Sequence, residues 1–225
     1  YYTNLPKVHD YLAEFKRDVL DFYDCFTVGE GPRMEPEVAL SYMREGKDKV
    51  LDMMINFAHM EADCFITDFL QRPFDLVKLK KAFTKWQTKM YGKGWNALYM
   101  ENHDHPRIIS RYGSEKYRVE SGKSIAASYL FQRGTPFVYQ GQEIGMINTP
   151  LPSLDDYKDI MVKNNARIAR SLGLSKETVL RLAQKASRDN ARTCMQWSGA
   201  PNAGFTNGKP WFVVNSNYKD INVES

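Results

Sequence analysis

A chain of 225 residues, 43% hydrophobic and 26% charged, can bury a sizeable core in one or two domains. Its net charge of +4, with no block of five like charges, argues against nucleic acid or an acidic membrane as a partner. Cys25, Cys64 and Cys194 are odd in number and lack a Cys-x-x-Cys pairing, which argues against a zinc site or disulfide framework and for a reducing cytoplasm. No apolar run approaches the ~18 residues of a membrane span, and the N-terminus shows no signal-peptide pattern. The chain begins at Tyr1 rather than Met, which reads as processed, trimmed or truncated.

Val8, Leu12, Phe15, Val19 and Phe22 recur at helical spacing and predict a first helix, with Pro6 near its start. Residues 25–30 follow as a strand. Pro36 opens a second helix to about Glu45, and Val50–Phe57 is a second strand. Leu79, Phe83, Trp86 and Met90 mark a third helix, ended by Gly92 and Gly94. A strand over 96–101 and a helix over 117–132 come next, then a strand over 135–139 in which Pro136 is tolerable only near the start. Helices are expected over about 155–171 and 176–186, the second N-capped by Ser175. From Arg188 the chain reads mostly as loop, with a short apolar Trp211–Val214.

Helix and strand thus alternate four times, and the strands are short continuous apolar runs. Both features point to a parallel α/β sheet buried on both faces. A complete (β/α)₈ barrel usually takes ~250 residues. Four strands cannot close a barrel, and their outer edges carry unpaired backbone groups.

Two acids stand where such folds keep their chemistry. Glu30 closes the first strand, and Asp104 lies just past the third, in Asn102-His103-Asp104-His105-Pro106-Arg107. A pair of carboxylates is the minimum equipment for cleaving a glycosidic bond. A polar cluster at a loop entry and a solvated Glu after Gly are the competing readings of the same residues. Glu61 and Asp63 read as a solvated loop, and Trp197 and Trp211 as packing rather than sugar-stacking platforms. His9 and His59 lack metal-ligand spacing. Lys78, Lys80, Lys81, Lys85 and Lys89 give one helix a basic, solvated face.

Four ordered motifs carry a resemblance: Thr27–Glu30, Glu101–Arg107, Thr135–Met146 and Ser187–Trp197. Together they are similar to the α-amylase superfamily of glycoside hydrolases (family 13), nearest its oligo-1,6-glucosidase and dextran glucosidase group, across essentially the whole chain. The resemblance implies that residues 1–225 are the C-terminal half of a (β/α)₈ TIM barrel, strands 5 to 8 with their helices. It implies Glu30 as general acid/base, Asp104 as the carboxylate that stabilises the transition state, and His103 as a ligand of the glucose at the cleaved bond. Arg192, with Arg188 second, would hold that glucose, and Gln142 and Glu143 would shape the aglycone side. The acid needs a raised pKa, which burial and a nearby carboxylate would supply, while Asp104 must stay ionised.

The family's nucleophile, in a Gly-Phe-Arg-x-Asp type of motif upstream of the acid/base, has no counterpart in this sequence. Nor do the first half of the barrel or the C-terminal β-sandwich. Lesser departures are Cys194 for Pro, Gln142 for Glu, His105 for Gln, and Gly31 and Arg33 after the acid. The implied activity is a retaining α-glucosidase acting on terminal α-1,6-linked glucose of short oligosaccharides, with this chain alone inactive. Trehalose-phosphate hydrolase, sucrose isomerase or α-1,4-glucosidase specificity is the alternative, as is a non-catalytic carbohydrate-binding or assembly module. No organic cofactor or metal is implied. Self-association or pairing with the absent half-barrel is the expected contact.

Overall fold

A computed structural model describes residues 4–43, 49–65 and 69–225. The chain divides into two units. The first holds residues 1–62, 75–98 and 131–137, and contains a parallel sheet of β1 (Val28–Gly31), β2 (Met53–Asn56), β3 (Asn96–Leu98) and β4 (Thr135–Pro136) in that order. Val28 pairs with Met53, Met54 with Asn96, and Ala97 with Thr135. All four strands fall inside the runs expected from sequence, apart from one further residue at the end of β1, and all are shorter. β4 keeps two residues, although the Phe137 N–H still donates to the Leu98 carbonyl at 2.7 Å.

Three helices belong to this unit: α1 (Lys7–Asp18), α2 (Pro36–Tyr42) and α3 (Leu76–Met90). Their core is Ala39, Tyr42, Met43, Met54, Trp86 and Met90, with Val8 and Leu12 packed at its margin. The first helix ends earlier than its periodicity suggests and passes into a 3₁₀ turn at Leu20–Phe22, leaving Phe15 and Phe22 exposed. The expected end of α2 at Glu45 lies outside the described residues. Asp75 caps α3 by accepting from the Val77 and Lys78 N–H groups, and the lysine face is solvated as expected.

β1 is shaped by small residues. A Cβ on Gly29 would lie 2.5 Å from Leu51 Cδ1 and 2.9 Å from Met54, so only glycine lets these side chains close over the strand. The strand's entry is fixed by Asp52, which accepts from the Thr27 N–H at 2.7 Å and its hydroxyl at 3.1 Å. Glu30, next to Gly29, pairs in register with Ile55.

The second unit holds residues 63–74, 99–130 and 138–225. Its helices are α4 (Ile108–Tyr112), α5 (Arg118–Leu130), α6 (Ile160–Ser171) and α7 (Lys176–Ala186). α7 matches the sequence reading, and Ser175 accepts from the Thr178 N–H. α6 starts later than expected. Residues 154–156 form a separate turn closed by a Ser153/Asp156 capping box, and Asp159 is the true N-cap of α6. α4 was not expected from the sequence. Four of its five residues are buried, Arg111 among them, so it shows no apolar stripe to read.

The unit's larger core joins Tyr157, Val162, Val179, Ala183 and Phe212. The expected packing of Trp197 and Trp211 is not found: they are 51% and 63% exposed, because inward-facing Phe212 and Gln196 take the buried positions beside them. No helix among the described residues is long and apolar enough to cross a membrane.

Candidate active site

The second unit presents one buried carboxylate that organises a loop and another, nearer the surface, that chemistry could use. Glu101 closes the base of the loop 101–108. Its Oε1 accepts the Ile108 N–H at 2.8 Å and its Oε2 accepts Arg107 Nη1 at 2.9 Å. Arg107, fully buried, also donates through Nη1 to the Gln140 carbonyl, and its N–H donates to Asn148 Oδ1. Burial pushes the Glu101 carboxyl above its ordinary range, against the pull of Arg107 and the Ile108 N–H. The loop tip is ordered locally by Asn102 Oδ1, which accepts the Asp104 N–H at 2.9 Å.

A second buried ion pair lies behind this loop. Arg111 donates from Nε to Asp63 Oδ2 at 2.9 Å and from Nη2 to Oδ1 at 2.5 Å, with both side chains almost fully buried. Arg111 Nη1 sits 3.2 Å from His105 Nδ1. Asp63 is therefore no part of a solvated loop, as the sequence suggested. A guanidinium fork sealed from water holds it, a partner 48 positions away that sequence could not reveal.

Asp104 is partly buried and gathers two guanidinium groups on a single oxygen. Arg188 Nη1 donates to Asp104 Oδ1 at 3.0 Å and Arg192 Nη2 donates to the same oxygen at 3.2 Å. Arg192 Nε donates to the His103 carbonyl at 2.9 Å. The His103 ring is largely exposed, with Nε2 3.4 Å from Asp104 Oδ2. His103, Asp104, Arg188 and Arg192 are thus one cluster, 84 to 89 positions apart across its two segments.

The cluster contains one residue the sequence reading passed over. Asp159 accepts from Arg188 Nε at 2.8 Å and Nη2 at 2.7 Å. Burial opposes ionisation of Asp159, but hydrogen bonds from Arg188 and the Met161 N–H, with the charges of Arg188 and Arg192, outweigh it and hold the carboxyl below its usual range. The bond to Asp159 raises Arg188 in turn. An Asp directly before an apolar helix start is an N-cap signal that could have flagged the position.

The remaining candidates lie apart. Gln142 accepts the Tyr139 N–H at 3.2 Å and donates to the Tyr129 hydroxyl at 3.1 Å. With Glu143 it lines a cavity of about 410 Å³ beside α5, walled by Ile108, Ile125 and Leu130. Neither residue hydrogen-bonds Asp104 among the described residues. Glu30 belongs to the first unit, where it is exposed at the end of β1, so the burial expected of a general acid is not found in this chain.

A parallel α/β sheet with an acid one residue before the end of its first strand fits barrel-enzyme architecture. The model of the alpha amylase catalytic domain matches residues 1–225. The chain is 46% identical to oligo-1,6-glucosidase from Parageobacillus thermoglucosidasius, over 100% of this chain and 40% of that protein. It is 39% identical to trehalose-6-phosphate hydrolase from Bacillus subtilis (strain 168), with the same coverage. Among solved structures it resembles trehalose-6-phosphate hydrolase from Bacillus licheniformis, with TM-score 0.91 and 42% identity, covering 99% of this chain and 40% of that one. The chain therefore belongs to the alpha-amylase family and is an α/β portion of a TIM barrel. It spans about 40% of the length of these relatives.

Proposed function

We propose that this chain is the part of a retaining α-glucosidase that protonates and electrostatically stabilises a terminal α-1,6-linked glucose during its hydrolysis from short oligosaccharides. The observation that carries the reading is Asp104 itself: its Oδ1 takes two arginine donors, while among the described residues Oδ2 meets the exposed His103 ring alone. Charge that is fixed before the reaction stabilises an oxocarbenium-like transition state without reorganisation. The guanidinium groups hold Asp104 in one orientation, and Oδ2 is the oxygen left to face the sugar.

Glu30 then protonates the leaving oxygen and afterwards activates water, the two duties of one carboxyl in a double displacement. Arg192 Nη1, which has no hydrogen-bond partner among the described residues, and His103 bind hydroxyls of the glucose. Gln142 and Glu143 act on the aglycone side. The attacking carboxylate is not in this chain, so the chain alone is inactive, and catalysis requires pairing with the complementary half-barrel. The protein works in the cytoplasm, in keeping with three free cysteines.

The similarity to trehalose-6-phosphate hydrolase favours one second reading, that phosphorylated disaccharide as substrate. Calorimetric titration with 1-deoxynojirimycin, a glucose-shaped cation, tests the site. The reading expects binding that weakens at least tenfold in Asp104→Asn and Arg192→Met. Binding unaffected by both substitutions would exclude it. Competition by isomaltose against trehalose 6-phosphate separates the two specificities.

A further inference from the structure

We infer that Asp159 is a positioning residue that holds Arg188 in place against Asp104, an assignment that rests on the reading of Asp104 as the sugar-facing carboxylate. The geometry divides the two arginines of the cluster into different jobs. Arg188 spends Nε and Nη2 on a two-pronged bond to Asp159, at 2.8 and 2.7 Å, and presents Nη1 to Asp104 at 3.0 Å. A guanidinium gripped as a fork keeps its plane, so its third nitrogen arrives at Asp104 in a fixed direction. Among the described residues, Arg192 has no carboxylate behind it. Its Nε meets a carbonyl, its Nη2 meets Asp104, and Nη1 is left for a ligand.

Asp159 is itself anchored more firmly than a surface acid. Its side chain is 2% exposed and accepts the Met161 N–H at 2.9 Å as the N-cap of α6. Its backbone N–H and that of Lys158 both donate to Asp189 Oδ2, at 3.0 and 2.7 Å. Asp189 immediately follows Arg188, and its own N–H is held by Ser187 Oγ at 3.1 Å. The segment ahead of α6 and the turn carrying Arg188 are therefore laced together on both sides. One carboxylate fixes the backbone of Asp159, and the carboxylate of Asp159 fixes Arg188.

This arrangement also balances charge. Without Asp159, two cations would converge on Asp104 with only its single negative charge to offset their mutual repulsion. With it, Arg188 is neutralised on the face away from Asp104. The prediction is that Asp159, 55 positions from Asp104 and touching no sugar, sets how well Asp104 is presented.

Asp159→Asn is the decisive variant because asparagine is as good an N-cap as aspartate, so α6 keeps its start, while the amide can no longer accept both guanidinium prongs. A crystal structure of the 225-residue Asp159→Asn protein is expected to show Arg188 Nη1 displaced from Asp104. A retained contact at 3.0–3.3 Å overturns the inference whatever the protein binds. The second arm measures affinity for 1-deoxynojirimycin in Asp159→Asn, Arg188→Met and the double variant. Because Asp159 acts through Arg188, each single change is expected to weaken binding about tenfold, a typical charge-assisted effect, and the double no further than Arg188→Met. Additive losses overturn the inference. Absence of binding by the unmodified protein would count against the Asp104 reading, leaving the crystallographic arm to decide the role of Asp159. Should Asp159→Asn fail to fold, Arg188→Lys serves instead. It keeps the charge but loses the fork, and affinity equal to the unmodified protein's would overturn the inference.

Discussion

Arg111→Met should be among the most destabilising single substitutions in the second unit. The Asp63 and Arg111 side chains are 2% and 0% exposed, and their two-pronged bond supplies the short contacts to the carboxylate. Removing the guanidinium leaves Asp63, among the described residues, with long contacts alone, from the Tyr112 hydroxyl at 3.5 Å and the Cys64 thiol at 4.0 Å. An uncompensated buried charge of this kind costs about 3–5 kcal/mol. At about 2–4 °C per kcal/mol for a chain of this size, the melting temperature should fall by about 6–20 °C. The pair as a whole need not be worth that much, because two desolvated charges largely repay each other. Asp63→Leu with Arg111→Met should therefore recover most of the loss. Urea unfolding followed by fluorescence measures Arg111→Met, Asp63→Leu and the double variant, with an unchanged slope showing that the same surface is exposed. A single variant within about 1 kcal/mol of the parent, or a double variant worse than either single, would refute the claim that the pair is sealed from water.

Three other outcomes are expected. Gly141→Ala places a Cβ against Met146 Sδ at a φ of +85°, so it should cost at least about 1–2 kcal/mol, read as a lower urea midpoint. The Asp159 carboxyl lies below its ordinary range in the folded state, so its stabilisation is present above the unfolded value of about 3.9 and is lost as pH falls through the folded value. The stability gap between the parent and Asp159→Asn should accordingly be constant near neutrality and close in acid; a gap that widens as acid is added would contradict the ion pair. Purified chain should release no p-nitrophenol from its α-glucoside, and release above the rate in buffer alone would contradict the expectation that the chain by itself is inactive.

What the sequence disclosed was local and periodic. α7, expected over about 176–186, runs Lys176–Ala186, because Ser175 marks its start as an N-cap. The four parallel strands were legible as apolar runs, but their ends were not. Strand length is set by where partners stop pairing, as at Leu98 and Pro136, and that is a tertiary fact. α4 escaped notice because a buried arginine interrupts its pattern. The candidate site was half visible. His103, Asp104, Arg188 and Arg192 stand in recognisable motifs, whereas Asp63 and Asp159 matter through partners 48 and 29 positions away. Glu30 lies one residue before the end of β1 and is exposed, as expected of a solvated Glu after Gly rather than of a buried general acid.

The role of Glu30 is the claim on which the account most depends. Residues 1–225 replace the matching segment of the oligo-1,6-glucosidase from Parageobacillus thermoglucosidasius, and glucose release from isomaltose is followed with Glu30 and with Glu30→Gln. An alkoxide is a poor leaving group, so loss of a general acid should lower kcat/KM by about 10²–10⁴-fold while the hybrid keeps its melting temperature. A folded hybrid in which Glu30→Gln cleaves isomaltose at the parental rate would contradict the account.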